Sequence, residues 1–325
     1  MTASEILFAI PKLSALVVGD ICLDRWCAYD PSAAEPSRET GIPRIAVTSV
    51  EVTPGAGGTV ASNLAALGAS RVAVLGAIGE DGFGHELERA LSARGISSEL
   101  LVKTPGIQTF TYTKVINGRT GREDRPRLDF INTVPLPRPA ERRLLDNLQS
   151  AVERFDAILV SDQAETGCGG VVTPAMRGLL ADLAAAYREK IFFADSRSRM
   201  ELFRGVIVKG NDQEAGAACA RVGASGFQSL YERLSAPLLI VTHGPGGVAL
   251  YGESGETRVA TRRVENPVDI CGAGDSFSAG AALALAAGAQ PLDAARFGNL
   301  IASITIMKKG TGTASREEVL ANAGD

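Results

Sequence analysis

Short apolar runs alternate along this chain with longer amphipathic stretches, and this alternation is the feature that most constrains its fold. Six runs have the length and composition of buried strands: residues 15–19, 71–75, 157–160, 190–194, 206–208 and 238–241. Helical patterns lie between or after them, over residues 59–67, 83–93, 140–155, 173–189, 228–234, 275–288 and 291–307. Strands that alternate with helices predict an α/β fold with a parallel sheet covered on both faces.

Two segments interrupt that alternation. Residues 25–54 contain four prolines and an alternating run, and residues 107–132 alternate on both sides of a glycine- and arginine-rich tip. Period-two alternation around a turn is typical of a hairpin. We expect both segments to form a small antiparallel β-lid on a single domain spanning residues 1–325. Two irregular surface loops are the alternative.

Charge and cysteine content argue against several classes of protein. The 33 Lys and Arg residues against 37 Asp and Glu give a net charge of −4, without the basic surplus of nucleic-acid binders. Five cysteines with no C-x-x-C pair argue against a disulfide framework and a Cys-rich zinc site. Residues 1–13 lack a basic signal-peptide start, and no apolar run is long enough for a membrane span. We expect a cytoplasmic protein that binds neither nucleic acid nor membrane.

The segment VDICGAGDSF, residues 268–277, is the strongest candidate for chemistry. Glycines let backbone amides approach a ligand closely, and a helix start attracts anions. Gly272, Ala273 and Gly274 therefore predict an anion hole for a phosphoryl group in transfer. Asp275 is the candidate general base for an attacking hydroxyl. An aspartate helix cap after a glycine turn is the alternative.

Other phosphate-binding patterns are missing from the sequence. It contains no Gly-Lys dipeptide, so it has no P-loop, and it contains no G-x-G-x-x-G motif. A nicotinamide-dependent dehydrogenase therefore has little support.

With these motifs, the chain resembles the ribokinase-like (PfkB) family of carbohydrate kinases over nearly its whole length. The resemblance is carried by PGAGGTVASNLAALG at residues 54–68 and DICGAGD at residues 269–275. VKGNDQE at residues 208–214 is similar to the family's N-x-x-E element, and VTHGPGG at residues 241–247 to its nucleotide-side turn. Within the family, the chain looks most like the sugar-kinase part of heptose-7-phosphate kinases.

The resemblance implies a doubly wound, mostly parallel sheet with a small β-lid over the sugar. It implies ATP as co-substrate, Mg²⁺, and transfer of the γ-phosphoryl group to a hydroxyl of a sugar or sugar phosphate. A heptose-7-phosphate 1-kinase is the preferred expectation. A kinase for another sugar or a nucleoside, and a ribokinase-like binding protein without turnover, are the alternatives.

The resemblance also assigns roles to individual residues. Asn211 and Glu214 would organise Mg²⁺ and water at the phosphates, with Glu214 holding the metal through water. The residues expected beside ATP are Asn211, Thr242, Gly244 and Gly247. The residues expected to hold sugar hydroxyls are Asp24, Gly55, Gly57 and Gly58. Asp269 is the nearest side-chain candidate for a monovalent cation such as K⁺.

Two positions depart from the family pattern. Thr59 stands where the family usually has Asn, and Ala56 stands where it has the second glycine of a pair. Both positions face the sugar in relatives, so the identity of the substrate stays open.

The residues themselves suggest three further substrate contacts. Arg127, in the arginine-rich tip, is placed to reach a substrate phosphate, and Asp129 points the same way from the strand. Asp162 ends a strand, where open α/β sheets bind ligands. A solvated hairpin is the alternative for the tip, and a helix start with a solvated Glu214 is the alternative for the metal-binding element. Because the lid strands leave open edges, we also expect a homodimer through the lid.

Overall fold

A computed structural model of the chain describes residues 1–168 and 170–323. The strands of this described part are β1 (Ser14–Gly19), β2 (Ile21–Tyr29), β3 (Val47–Ala56), β4 (Arg71–Leu75), β5 (Ala77–Gly79), β6 (Val102–Thr104), β7 (Thr111–Asn117), β8 (Leu128–Phe130), β9 (Ala157–Asp162), β10 (Ile191–Ser196), β11 (Ile207–Asn211), β12 (Leu239–Thr242), β13 (Val248–Gly252) and β14 (Gly255–Val259). The helices are α1 (Ala3–Ala9), α2 (Gly57–Ala66), α3 (Gly82–Ser92), α4 (Arg138–Ala151), α5 (Pro174–Ala186), α6 (Asp212–Val222), α7 (Phe227–Arg233), α8 (Ala273–Ala286), α9 (Pro291–Thr305) and α10 (Arg316–Asn322).

The central sheet has the strand order β14-β13-β12-β11-β10-β9-β1-β4. The strands from β12 to β4 run parallel, and the β13–β14 hairpin adds two antiparallel strands at one edge. Parallel strands are covered by helices on both faces, so they read as apolar runs in the sequence. The α/β fold with a mostly parallel sheet is confirmed.

Two hydrophobic cores lie on opposite faces of this sheet. Neighbouring strand residues point to opposite faces, so Leu16 packs in one core and Val17 in the other. Helices α2, α8 and α9 cover the Val17 face. Helices α4, α5 and α6 cover the Leu16 face.

The two interrupting segments form a second sheet of four strands, ordered β3-β2-β7-β8. The outer pairs are antiparallel, as expected, whereas the middle pair β2–β7 is parallel. The reason is that β2 and β7 belong to different excursions and run in the same direction. The first excursion is also longer than residues 25–54, since its strands begin at Ile21 and end at Ala56. We call this four-stranded sheet the lid.

Within the described residues, no helix has both the length and the apolar character needed to cross a bilayer.

Candidate active site

A cleft lies between the lid and the carboxyl ends of the parallel strands, the edge at which open α/β sheets bind ligands. Its cavity measures about 170 Å³. The lid contributes Asp24, Trp26, Tyr112 and Lys114 to the lining. Gly272, in the turn before α8, and Asp275, in the first turn of α8, line the opposite side, so the structure brings the expected base together with the expected Asp24.

The register of the lid explains which of its side chains face the cleft. Asp24 pairs with Tyr112 and Trp26 pairs with Lys114 across β2 and β7. Side chains two residues apart on a strand share a face. These four side chains therefore form one patch on the inner face of the lid.

Arg127 and Asp129 lie beside that patch. Arg127 donates through Nε and Nη2 to the two carboxylate oxygens of Asp129, both at 2.7 Å, and its guanidinium lies 5.1 Å from the ring centre of Tyr112. Arg127 lines the cavity, whereas Asp129 does not. Asp129 therefore orients Arg127, and its own oxygens are already used.

Glycine at residue 55 brings the chain against Asp24. A Cβ atom at Gly55 would lie 2.5 Å from the Asp24 carboxylate. Gly57 and Gly58 instead open α2 and are buried against Ile21 and Pro54, outside the cavity lining. Of the three glycines expected at the substrate, Gly55 alone contacts a cleft side chain.

The two positions that depart from the family pattern both line the cavity. Thr59 is buried, and its hydroxyl donates to the Pro54 carbonyl at 3.3 Å. Ala56 has φ +49° and ψ −118°, a left-handed conformation that favours glycine. The alanine therefore holds a strained turn at the edge of the cleft.

The turn before α8 presents unpaired backbone amides. Gly272 has φ +78°, and the amide of Ala273 donates to the Ile270 carbonyl at 3.2 Å. Among the acceptors that the structure describes, none receives the amides of Gly272, Gly274 or Asp275. The amides of Gly272, Gly274 and Asp275 are therefore available as donors, whereas the Ala273 amide already makes a hydrogen bond.

A buried ammonium group lies beneath this turn. A Cβ atom at Gly274 would lie 2.9 Å from Lys209 Nζ. Lys209 is paired with Asp195 at 2.7 Å, and Asp195 also accepts from Ser278 on α8 at 2.9 Å. The pair keeps a positive charge close to the unpaired amides, where an anion would bind.

Two carboxyl groups in the cleft have raised pKa values. Burial is the main cause of raising the pKa of Asp275 to about 7; Asp195 adds to the rise, and Lys209 opposes it. Burial likewise raises the pKa of Asp24 to about 6, against the opposing charges of Lys114 and Arg127. A carboxylate with a pKa near 7 accepts a proton effectively at neutral pH.

The expected nucleotide-side residues lie together at the ends of β11 and β12, outside the cavity lining. Asn211 pairs with Thr242 in the parallel register. Its side chain accepts from the amides of Gln213 and Glu214, while Glu214 Oε2 accepts from the Asn211 amide at 2.7 Å. This capping box starts α6 and leaves the second oxygen of Glu214 available for a cation or water.

The glycine turn after β12 continues this patch. Gly244 and Gly247 have φ +53° and +91°, and the His243 amide donates to the Gly247 carbonyl at 2.8 Å. A Cβ atom at Gly247 would lie 2.3 Å from the Val259 carbonyl. Glycine is therefore needed for the turn itself.

Two expected ligand residues have structural partners. Asp162 is fully buried and accepts from Arg199 Nη2 and Ser196 Oγ, both at 2.6 Å. It does not line the cleft. Asp269 accepts from the amides of Cys271 and Gly310, so it ties two turns together.

Sequence reasoning left Lys114, Tyr112 and Gln163 out of the candidate site, although they line the cavity. The signal for Lys114 and Tyr112 was the alternating run itself, because residues 112 and 114 share a strand face. Arg197, which directly follows β10, also lines the cavity.

Comparisons with known proteins identify the family of this chain. Residues 13–318 match the model of the pfkB family of carbohydrate kinases. The chain is 31% identical over 333 residues to the bifunctional protein HldE of Geobacter sulfurreducens, covering 98% of this chain and 65% of that protein. It is 30% identical over 316 residues to the bifunctional protein HldE of Trichlorobacter lovleyi, covering 95% of this chain and 62% of that protein. The chain thus spans less than two thirds of the length of these relatives.

Solved structures share the fold. Ribokinase from Thermotoga maritima superimposes with a TM-score of 0.71 at 21% identity, covering 95% of this chain and 99% of that one. Phosphofructokinase-2 from Escherichia coli gives a TM-score of 0.69 at 19% identity, covering 96% of this chain and 98% of that one. The family match over residues 13–318, together with the HldE relatives, shows that the chain belongs to the pfkB family of carbohydrate kinases.

Proposed function

We propose that this kinase transfers the γ-phosphoryl group of ATP to a hydroxyl of a sugar that already carries a phosphate, with heptose 7-phosphate as the preferred substrate. An unpaired cation in the cleft carries the proposal. Four cations line the cavity, but within the described residues Arg25, Arg127 and Arg197 pair with Glu86, Asp129 and Glu165, whereas Lys114 has no ion-pair partner. An unpaired ammonium group in the cleft suits a phosphorylated substrate better than a neutral sugar.

Lys114 is the strongest candidate to hold the substrate's phosphate. Within the described residues, it has no carboxylate within ion-pair distance, whereas Arg127 is paired with Asp129. Arg25 is turned toward α3, where it stacks on Phe83 at 4.8 Å. The resemblance to the sugar-kinase part of heptose-7-phosphate kinases supports the same class of substrate.

The proposed reaction uses Asp275 and the turn before α8. The substrate oxygen attacks the γ-phosphorus, the bond to the β–γ bridging oxygen breaks, and Asp275 takes the hydroxyl proton. The amides of Gly272, Gly274 and Asp275 hold the charge on the transferring group, and one such donor is worth roughly 3–4 kcal/mol. Asp24, held against Gly55, binds a substrate hydroxyl.

Magnesium fits the nucleotide-side patch. Mg²⁺ keeps several waters and takes one or two carboxylates plus substrate phosphates, and Glu214 has one free oxygen there. Burial raises the pKa of Glu214, and a bound cation would favour its ionised form. Mg²⁺ would neutralise phosphate charge. The expected K⁺ site near Asp269 stays a prediction. Both oxygens of that carboxylate already accept hydrogen bonds from backbone amides.

A panel of sugars and sugar phosphates, with ADP release as the readout, tests the proposal. We expect release to depend on the acceptor and heptose 7-phosphate to exceed free heptose in kcat/KM. Faster turnover of an unphosphorylated sugar or a nucleoside would contradict the substrate class. Tight sugar binding with no ADP release would indicate a binding protein instead.

Lys114→Ala tests recognition of the substrate's phosphate separately from recognition of its sugar ring. It should raise KM for the phosphorylated substrate by about 10- to 100-fold, the effect of losing one charge-assisted contact of about 1.5–3 kcal/mol. Lys103→Ala is the matched control, because Lys103 pairs with Glu88 at 2.8 Å and does not line the cleft. An equal loss with the free sugar would show that Lys114 does not bind a phosphate.

The exposed side of the lid supports the proposed homodimer. Seven large apolar side chains lie exposed in the two lid segments or just after the second: Ile42, Ile45, Val47, Val50, Leu128, Ile131 and Val134. Exposed apolar groups on open-edged strands suit a second copy of the sheet. Sedimentation should give a dimer, and a monomer at micromolar concentration would contradict it. The expected cytoplasmic location rests on the sequence and stays a prediction.

A further inference from the structure

We propose that Arg197 binds the phosphoryl group during its transfer and that Glu165 holds Arg197 when no nucleotide is bound. This inference rests on the proposed function, because it concerns the same phosphoryl transfer. It adds a charged group of the α/β body to the unpaired amides of the turn before α8.

The position of Arg197 separates it from the other cations of the cleft. Arg25, Lys114 and Arg127 all come from the lid, which covers the substrate side. Arg197 directly follows β10, at the carboxyl edge of the central sheet. Among the described lining residues, Arg197 is the cation that comes from the central sheet and not from the lid.

Arg197 shares the cleft with the proposed base. It lines the same cavity as Asp275 and Gly272. Its positive charge lowers the pKa of Asp275. A guanidinium there is placed to meet the equatorial oxygens of a γ-phosphoryl group, where charge spreads during transfer.

The backbone of Arg197 is fixed, while its head group is free to change partner. The Arg197 amide donates to the carbonyl of the buried Asp162 at 3.1 Å, and the Asp162 carboxylate pairs with Arg199. The guanidinium donates to Glu165 at 2.6 Å, and these side chains are 46% and 59% exposed. An exposed ion pair is worth little, so a polyanionic phosphate displaces the carboxylate readily.

Lys209 does not take this role. Its ammonium is buried and already held by Asp195, so it supplies fixed charge beneath Gly274. Arg197 presents several N–H donors in a planar fork, which suits phosphate oxygens. During the reaction, Arg197 neither gives nor takes a proton; the substrate proton goes to Asp275, and the bridging oxygen leaves with ADP.

Three substitutions test the inference. Arg197→Gln should lower kcat by about 10²- to 10³-fold, and Arg197→Lys should recover part of that loss because it keeps the charge. Glu165→Gln should lower KM for ATP by about threefold, since it removes a competitor of the phosphate. Arg154→Gln is the matched control, since its pair with Glu99 at 2.9 Å is similarly exposed and lies at the other end of β9.

The pH profile distinguishes this role from a structural one. The charges around Asp275 are those of Asp195, Lys209, Asp24 and Arg197. Removal of Arg197 takes away a charge that lowers the pKa of Asp275. The acid limb of kcat/KM should therefore move to higher pH in Arg197→Gln.

Binding of ADP with and without aluminium fluoride reports on Arg197 without turnover. Aluminium fluoride should tighten ADP binding to the unsubstituted chain in the presence of Mg²⁺. In Arg197→Gln, this increase in affinity should be at least tenfold smaller. If no acceptor supports turnover in any assay, that result would overturn the proposed function, and the aluminium fluoride experiment would still test this inference. A kcat within threefold of normal in Arg197→Gln, or no fluoride effect on the unsubstituted chain, would overturn this inference.

Discussion

The pKa of Asp275 makes a quantitative prediction about the pH dependence of the kinase. Burial and the Asp195 carboxylate raise this pKa to about 7. The base accepts a proton only in its ionised form, whose fraction rises from about a tenth at pH 6 to about nine tenths at pH 8. The value of kcat/KM should therefore rise about tenfold between these pH values. An aspartate with its ordinary pKa near 4 would give a flat profile over the same range.

Direct ADP detection at saturating ATP measures this profile. The substrate's own phosphate has a second pKa of about 6 and titrates nearby. With an unphosphorylated sugar as a slow acceptor, that contribution is absent, and the pH profile of kcat/KM reports only the titrating groups of the free enzyme. In Asp24→Asn, the acid limb should move to lower pH, because the Asp24 charge raises the pKa of Asp275. A flat profile from pH 6 to pH 8 with both acceptors would refute the reasoning.

Three substitutions test the surrounding structure. Ala56→Gly should stabilise the fold by about 1 kcal/mol in urea unfolding, because relief of strain at φ +49° outweighs the added chain entropy; a loss of stability would contradict the strained turn. Gly55→Ala should reduce kcat/KM about 100-fold with little loss of folding, since its Cβ atom would displace Asp24; unchanged kinetics would refute that placement. Asp162→Asn should cost about 1.5–3 kcal/mol because it leaves the partly buried Arg199 without its charge partner, and a loss below 1 kcal/mol would argue against the pair.

The parallel sheet and the glycine turn before α8 could be predicted because their signals are local. The run at residues 15–19 contains the apolar residues of a buried strand, and the turn is written in one contiguous motif. Helix α6 was missed as a full helix, since its sequence, DQEAGAACARV, has a glycine in its interior and few large apolar residues to mark a periodic face. The β13–β14 hairpin was missed because β14, with the sequence GETRV, is mainly polar and exposed and so lacks the apolar run of a buried strand.

The individual side chains of the site were harder to predict, because they depend on pairing between distant strands. Asp162 sits at a strand end as expected, but the parallel register places it opposite Ser196, and Arg199 closes the pair. No local pattern distinguishes that buried partner from a ligand. Lys114 faces the cleft because β7 pairs with β2, a register that no hairpin rule gives.

The turnover of Asp275→Asn tests most directly whether this carboxylate removes the substrate proton in the cleft. The variant keeps the size of the side chain and lacks the base. We predict that kcat with the preferred sugar phosphate falls by about 10²- to 10⁴-fold, while the affinity for ATP, measured by titration, stays within about threefold. A kcat within tenfold of the unsubstituted kinase would contradict the account.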